Sequence, residues 1–318
     1  MRTVLVSNPT STRNRRRGMA DIEAVAAARP GVRHLRLEPG ERAGGTVGRI
    51  AEAGAGLVVV NSGDGTFQDV LTAVLERGDL FPRPPLLCHM ARGGANMTAR
   101  DCGIASGRAS DLARLFAAAE ADALAPLTVE RRVLRLDLGG GRRPERGLFL
   151  GLGGIVDGMK RFRGGAAARG LEGALGHALT VAGLLGRAAF GGPAAARIGP
   201  HELTVAIDGG KPARRRLLLA LATTLERLML GFRPFWGGGE GFRWTEIDTG
   251  ARGLLRRTPR VLYGGDRRRL PEGYRSLRAA RLELRLDGPI ALDGELFRPA
   301  PGEPARVTAA ERVRFVRL

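Results

Sequence analysis

The 318-residue sequence is poor in several things at once: it has two cysteines, Cys88 and Cys102, two lysines, Lys160 and Lys211, and only 5% aromatic residues. Each scarcity removes a class of protein. Two cysteines with no C-x-x-C spacing and no histidine at zinc spacing cannot frame a disulfide scaffold or a zinc module, and they read as reduced interior residues. So few aromatics leave no stacking platforms interleaved with the basic residues, as a single-strand nucleic-acid binder needs. No apolar run approaches the ~18 to 20 residues that span a bilayer. The opening MRTVLVSNPT has a short strand-like core and no small-residue cleavage site after it, so a cytoplasmic protein without a signal peptide is expected.

What the sequence does have is positive charge, a formal +19, almost all of it arginine. The arginines fall in ones, twos and threes, as at Arg15 to Arg17, Arg131 and Arg132, Arg214 to Arg216 and Arg267 to Arg269. With abundant glycine and alanine, this looks like a GC-rich coding bias, which weakens the argument from charge without cancelling it. Peripheral attraction to an anionic membrane surface is expected, and nucleic acid is not. Hydrophobic residues at 43% place the chain among globular proteins. The length suggests two domains.

The first third alternates strand and helix patterns. Residues 3–8, 32–37, 57–61 and 85–90 read as strands; 19–29, 46–53 and 67–77 read as helices, and NMTARDCG opens another. Such alternation predicts a Rossmann-like parallel sheet covered by helices, with ligands beyond the carboxyl ends of its strands. From about residue 128 the pattern changes to strands separated by Gly-rich turns, at 128–138, 147–153, 201–208, 215–224, 252–257 and 281–286. This half reads as an antiparallel β domain. Residues 171–190 break the pattern with apolar positions at helical spacing, read as a helix on the sheet or an apolar wall for a lipid chain. The expected domains are 1–125, rejoined by 305–318, and 126–304.

Three polar turns follow consecutive strands of the first half. SNPTSTRNRRRG (7–18) brings amide and hydroxyl donors at Asn8, Thr10, Ser11 and Thr12, with Arg13 and Arg15 to Arg17 behind them. Ser62-Gly63-Asp64-Gly65-Thr66 lets the backbone approach a ligand and offers a helix N-terminus to an anion. Asp64 would repel a bare phosphate there, so it holds Mg²⁺, caps the helix or accepts a proton. The third turn, ARGGANMTAR (91–100), places Gly93, Gly94 and Asn96 before a helix. A parallel sheet brings all three side by side.

These motifs, with GGGEG at 237–241 and LDGE at 292–295, resemble the diacylglycerol kinase catalytic-domain family, which includes bacterial diacylglycerol and YegS-type lipid kinases, sphingosine kinases and ceramide kinases. The resemblance covers essentially the whole chain in order and spacing. It implies a nucleotide-binding α/β domain with an NAD kinase/diacylglycerol kinase-like sheet, and a C-terminal antiparallel β-sandwich. It also implies ATP and Mg²⁺ as cofactors and an amphiphilic lipid acceptor at the inner membrane, with a homodimer left open. By position, Ser62, Gly63, Gly65, Thr66, Phe67 and Gln68 would line the ATP phosphates. Asn8, Pro9, Thr10, Ser11 and Thr12 would lie along the nucleotide, with Gly93, Gly94 and Asn96 opposite. Glu295 would be the general base, with Asp64 organising metal or acceptor, and Asp293 could serve only the turn. RVRFVRL (312–318) is similar to the terminal strand that returns to the first domain in relatives.

The chain departs from the family pattern at four places. Gly94 stands for a threonine, Met97 for an aspartate and Thr12 for a glycine, and Asp248 only partly matches a structural-metal site. Two other readings follow: a non-catalytic nucleotide or lipid sensor of the same fold, motivated by Gly94 and Met97, and a kinase of a soluble hydroxyl substrate, since GDGT is more widely shared.

Overall fold

The computed structural model describes residues 1–161 and 201–318, so the expected helix at 171–190 lies outside the described residues. The chain divides into two compact units, Met1–Arg131 with Arg312–Leu318, and Arg132–Glu311.

The first unit runs β1 (Thr3–Ser7), α1 (Thr12–Arg17), α2 (Ala20–Ala27), β2 (Val32–Arg36), α3 (Val47–Glu52), β3 (Leu57–Ser62), α4 (Asp64–Glu76), β4 (Leu86–Ala91), α5 (Met97–Cys102), α6 (Ala109–Glu120) and β5 (Thr128–Arg132). β1 and β3 are buried along their whole length, as continuous apolar runs covered on both faces require. β2, whose residues alternate, lies at the sheet edge. Strands β1 to β4 pair in parallel in the order β2-β1-β3-β4. Ile22 and Ala26 of α2, with Leu112, Leu115 and Phe116 of α6, pack on Leu5, Leu57, Val59 and Met90 of the sheet. Each such buried leucine or phenylalanine contributes about 1.5–3 kcal/mol. Cys88 sits in the same core, where burial pushes its thiol up to about 12, so it stays protonated and inert.

The second unit contains β6 (Leu134–Asp137), β7 (Glu145–Gly147), β8 (Phe149–Gly153), α7 (Gly154–Arg161), β9 (His201–Ile207), β10 (Ala213–Thr223), β11 (Phe242–Asp248), α8 (Leu254–Tyr263), β12 (Tyr274–Ala279), β13 (Arg281–Arg285), β14 (Ile290–Leu292), β15 (Glu295–Phe297) and β16 (Ala305–Thr308). Its strands form one eleven-stranded sheet with antiparallel pairing. The sheet curls, so that Leu134 and Leu136 of β6, Leu150 and Leu152 of β8, Phe242 and Trp244 of β11 and Leu282 and Leu284 of β13 share one core. Leu218, Ile247 and Tyr274 face the other way and pack under Leu254 and Val261 of α8. The chain then returns as β17 (Arg312–Val316), which pairs parallel with β4 and lies between β4 and β5.

Two strand expectations are corrected. Residues 252–257 are not a strand: Gly253, at φ 67, starts α8, and Leu254 and Val261 are buried two turns apart on one side of it. The run at 128–138 breaks at Val133, so β5 joins the first sheet and β6 the second. The GC-biased Arg/Leu alternation suits either period over a short window, and the burying partners are remote in sequence.

Candidate functional site

The carboxyl ends of β1, β3 and β4 are level, with Ser7 beside Asn61 and Ser62 beside Ala91. The three polar turns therefore meet at one edge of the sheet. Asn8 ties the first turn to the second. Its Oδ1 accepts from the Thr10 backbone N–H at 2.9 Å and the Thr10 hydroxyl at 2.7 Å, while its Nδ2 donates to Thr66 Oγ1 at 2.8 Å. The Ser11 hydroxyl closes the same turn on the Asn8 carbonyl at 3.0 Å. Asn14, buried beneath it, donates to the Asn8 carbonyl at 2.8 Å and to Asn61 Oδ1 at 3.2 Å.

Pro9 and Thr10 lie on this turn, while Thr12 begins α1, so the segment read as a continuous loop is half helix. Arg13 is committed to the scaffold: its guanidinium donates to the carbonyls of Ala91 at 3.0 Å and Ser106 at 2.8 Å.

The second turn passes directly into α4, whose N-cap is Gly63 with no side-chain cap. The first-turn N–H groups of a helix have no intrahelical acceptor, so Asp64, Gly65 and Thr66 present backbone donors and a positive dipole end. The third turn is held by Asn96, in the left-handed region at φ 51. Its Oδ1 accepts from the Gly93 N–H at 2.7 Å, and its Nδ2 donates to the Gly93 carbonyl at 2.9 Å.

The two glycine turns touch backbone to backbone. A Cβ on Gly93 would lie 2.3 Å from the Gly63 Cα, a contact only glycine permits. The Arg92 N–H donates to the Ser62 carbonyl at 3.0 Å and continues the junction.

Asp64 does not cap its own helix. Its carboxylate, 7% exposed, accepts from the backbone N–H groups of Met97 at 3.3 Å and Thr98 at 3.2 Å, at the start of α5. It links the second turn to the third, a role outside the three foreseen for it.

His89 of β4, which the sequence reading passed over, is fully buried behind this link. Its Nε2 donates to the Ser62 carbonyl at 3.2 Å, which leaves Nδ1 unprotonated, 3.8 Å from Asp64 Oδ1. Burial holds the imidazole below its usual value, while the Asp64 charge pulls the other way. The Phe67 ring stacks on His89 at 4.7 Å, and Gln68 binds Thr72 at 3.0 Å. Both side chains are interior supports for the turn, unlike Asn8, Thr10 and Ser11 at its surface. A lone histidine in the apolar run LLCHM was the available signal for His89, and its partners in the turn gave none.

Among the described residues, no group of three His, Cys, Asp or Glu is placed to hold a metal ion. Asp248 ends β11 with its backbone bound to Gly273 and Ala251.

In the second unit, Asp293 and Gly294 take φ 42 and 94 between the paired residues Leu292 and Glu295, the geometry of a two-residue hairpin turn. Asp293 is 1% exposed, and its two oxygens accept from the N–H groups of Leu148 at 2.8 Å and Phe149 at 2.9 Å. It is the residue that fixes the turn. Glu295 is exposed on the first position of β15.

Residues 2–128 match the family model of the diacylglycerol kinase catalytic domain. Two solved structures from Bacillus anthracis, one a diacylglycerol kinase and one a candidate diacylglycerol kinase, are similar over 100% of this chain and 97% of theirs. Both are 13% identical to it, with TM-scores of 0.63 and 0.67. Yeast NADH kinase, solved with NADH, is similar over 100% of this chain and 84% of its own, at 10% identity and a TM-score of 0.50. At these identities the likeness is one of fold. No curated protein matches the chain.

Proposed function

Taking residues 2–128 as a diacylglycerol kinase catalytic domain, by their match to that family, we propose that the chain is an ATP-dependent lipid kinase. It would transfer the γ-phosphoryl group to a hydroxyl of diacylglycerol or a related amphiphile at an anionic membrane surface. The observation that carries this reading is the backbone contact of Gly63 with Gly93 beside the uncapped N-terminus of α4. Such a cradle suits phosphate, because the free backbone N–H groups of a helix N-terminus and its dipole favour an anion. Asn8, Thr10, Ser11 and Thr12 would lie along the nucleotide, and Gly93, Gly94 and Asn96 would close the other side.

Phosphoryl transfer asks a protein mainly for position and charge. Mg²⁺, when bound, would neutralise phosphate charge, and with one carboxylate already occupied by two N–H groups it would be held chiefly by the phosphates themselves. Asp64 would be the carboxylate nearest to it on the second turn, and the same side chain links the second turn to the third. Glu295 would take the acceptor proton as the acceptor oxygen bonds to phosphorus and the bond to the departing ADP oxygen breaks. Asp293 holds the hairpin that presents it.

The test is transfer from γ-labelled ATP to a panel of lipid acceptors. Glu295→Gln should lower kcat by about 10² to 10⁴ with ATP binding kept. Normal ATP binding with no transfer to any lipid would sink the lipid-kinase reading and favour the sensor, which Gly94 and Met97 already motivate. Turnover of a soluble alcohol without vesicles would favour the third reading.

A further inference from the structure

Four large hydrophobic side chains are exposed among the described residues, Met1, Leu230, Leu255 and Tyr263, and three of them belong to α8 and the turn packed on it. Leu255, Pro259 and Tyr263 are spaced by four, so they form one stripe along the outer side of α8, opposite the buried Leu254 and Val261. Tyr263 is 61% exposed, and its ring meets Phe232 edge-on at 5.2 Å. The Arg233 N–H donates to the Leu262 carbonyl at 2.7 Å, so the turn bearing Leu230 and Phe232 is joined to the end of the helix. The buried Arg268 guanidinium locks this junction. It donates to the carbonyls of Arg260 and Val261 on the helix, at 2.7 and 2.5 Å, and of Arg233 and Phe235 on the turn, both at 2.6 Å.

Beside the apolar stripe runs a second, cationic one. Arg252, Arg256 and Arg260 share the same four-residue spacing and are exposed, as are Arg233, Arg267 and Arg269 around the junction. Several exposed arginines elsewhere on this unit are balanced, Arg214 and Arg216 by Glu202 and Arg281 and Arg306 by Glu283, while Arg135 and Arg285 are exposed without an ion pair among the described residues but have no exposed apolar side chain beside them in sequence. Arg252, Arg256 and Arg260 have no acidic partner among the described residues. Asp248 and Asp266 are the acids nearest to them in sequence, and neither forms an ion pair with them.

We propose that the outer side of α8, with the turn at residues 229–233, is the surface by which the protein docks on an anionic lipid membrane. The amphipathic logic is that of an in-plane helix: leucine and tyrosine enter the headgroup boundary, while arginine stems lie along it and their guanidinium groups reach the phosphates. A nucleic acid would use the arginines but leave Leu230, Leu255 and Tyr263 without a role. The inference rests on the reading of the protein as working at a membrane. Its test needs neither ATP nor acceptor, so the kinase and docking readings fail separately.

The full chain is sedimented with phosphatidylcholine vesicles, with and without phosphatidylglycerol. It should bind only the anionic vesicles. The triple variant Arg252→Gln, Arg256→Gln, Arg260→Gln should lose on the order of a hundredfold in partition, at about 1 kcal/mol per basic residue. Removing the same charge at Arg135, Arg285 and Arg306 should cost far less. A variant with Trp in place of an exposed leucine, Leu255→Trp, should be quenched by brominated acyl chains, which also reports docking if the triple variant folds poorly. Absence of binding to anionic vesicles, equal loss from both triple variants, an unquenched Leu255→Trp, or tight binding to RNA in place of vesicles would each overturn the proposal.

Discussion

Gly93→Ala is the sharpest test of the phosphate cradle. The added methyl would sit 2.3 Å from the Gly63 Cα and 3.1 Å from the Gly63 nitrogen. Carbon atoms approach comfortably only to about 3.5 Å, so the two turns must separate by roughly 1 Å, and neither is a flexible side-chain end that could swing aside. Overpacking of this kind costs about 1–3 kcal/mol. A misplacement of about 1 Å in a positioning site costs on the order of 10² in rate. Gly63→Ala is the internal control: its methyl would lie 3.2 Å from the Gly93 Cα, a contact relieved by a few tenths of an ångström. Nucleotide affinity, turnover and the chemical-denaturation midpoint, measured on both variants, should therefore show a large loss for Gly93→Ala and a small one for Gly63→Ala. Equal effects, or full nucleotide affinity in Gly93→Ala, would refute the idea that the contact sets the site.

Two further substitutions separate structure from chemistry at the same place. Asp64→Ala should cost about 1–2 kcal/mol of stability, because it strips the N–H groups of Met97 and Thr98 of their acceptor; Asp64→Asn, which keeps one acceptor oxygen, should cost less, yet both should lose turnover if the charge matters. Thermal melting alongside label transfer checks this, and equal melting points would count against the capping role. His89 is buried neutral with its titration lowered, so the unfolded chain binds its proton first as pH falls. Stability should therefore be intact above the ordinary histidine value of 6.5 and decline below it towards the lowered folded value. His89→Gln should flatten that part of the stability-against-pH curve, and an unchanged slope would exclude His89 as its source.

The parallel half of the fold was legible because its strands are continuous apolar runs and its turns carry glycine, asparagine and hydroxyls at strand ends. TVLVS and LVVVNS admit little else. The antiparallel half was less legible. At LDGE the Asp-Gly pair marked a turn but not the short strands β14 and β15 on either side of it, and RGLLRR at 252–257 offered one Leu-Leu pair that fits a strand or a helix equally, and only Val261 and the sheet beneath decide. Within the site, the residue types were readable and their partners were not. Nothing near Asp64 in sequence says that its carboxylate meets the amides of Met97 and Thr98, and nothing near Gly63 says that Gly93 presses on it. Both contacts are made by chain segments that only the sheet brings together.

The placement of β17 bears on how the chain is made. The strand beside β4 is residues 312–316, synthesised after the whole of the second unit. While the ribosome is still making that unit, β4 and β5 have no strand between them, and the unpaired edge of β4 is open to other chains. The first unit therefore cannot finish in the order it is translated. Its sheet closes last, through a pairing of long sequence separation, which slows folding and makes the interval before residue 312 emerges the stage at which a nascent chain most needs a chaperone.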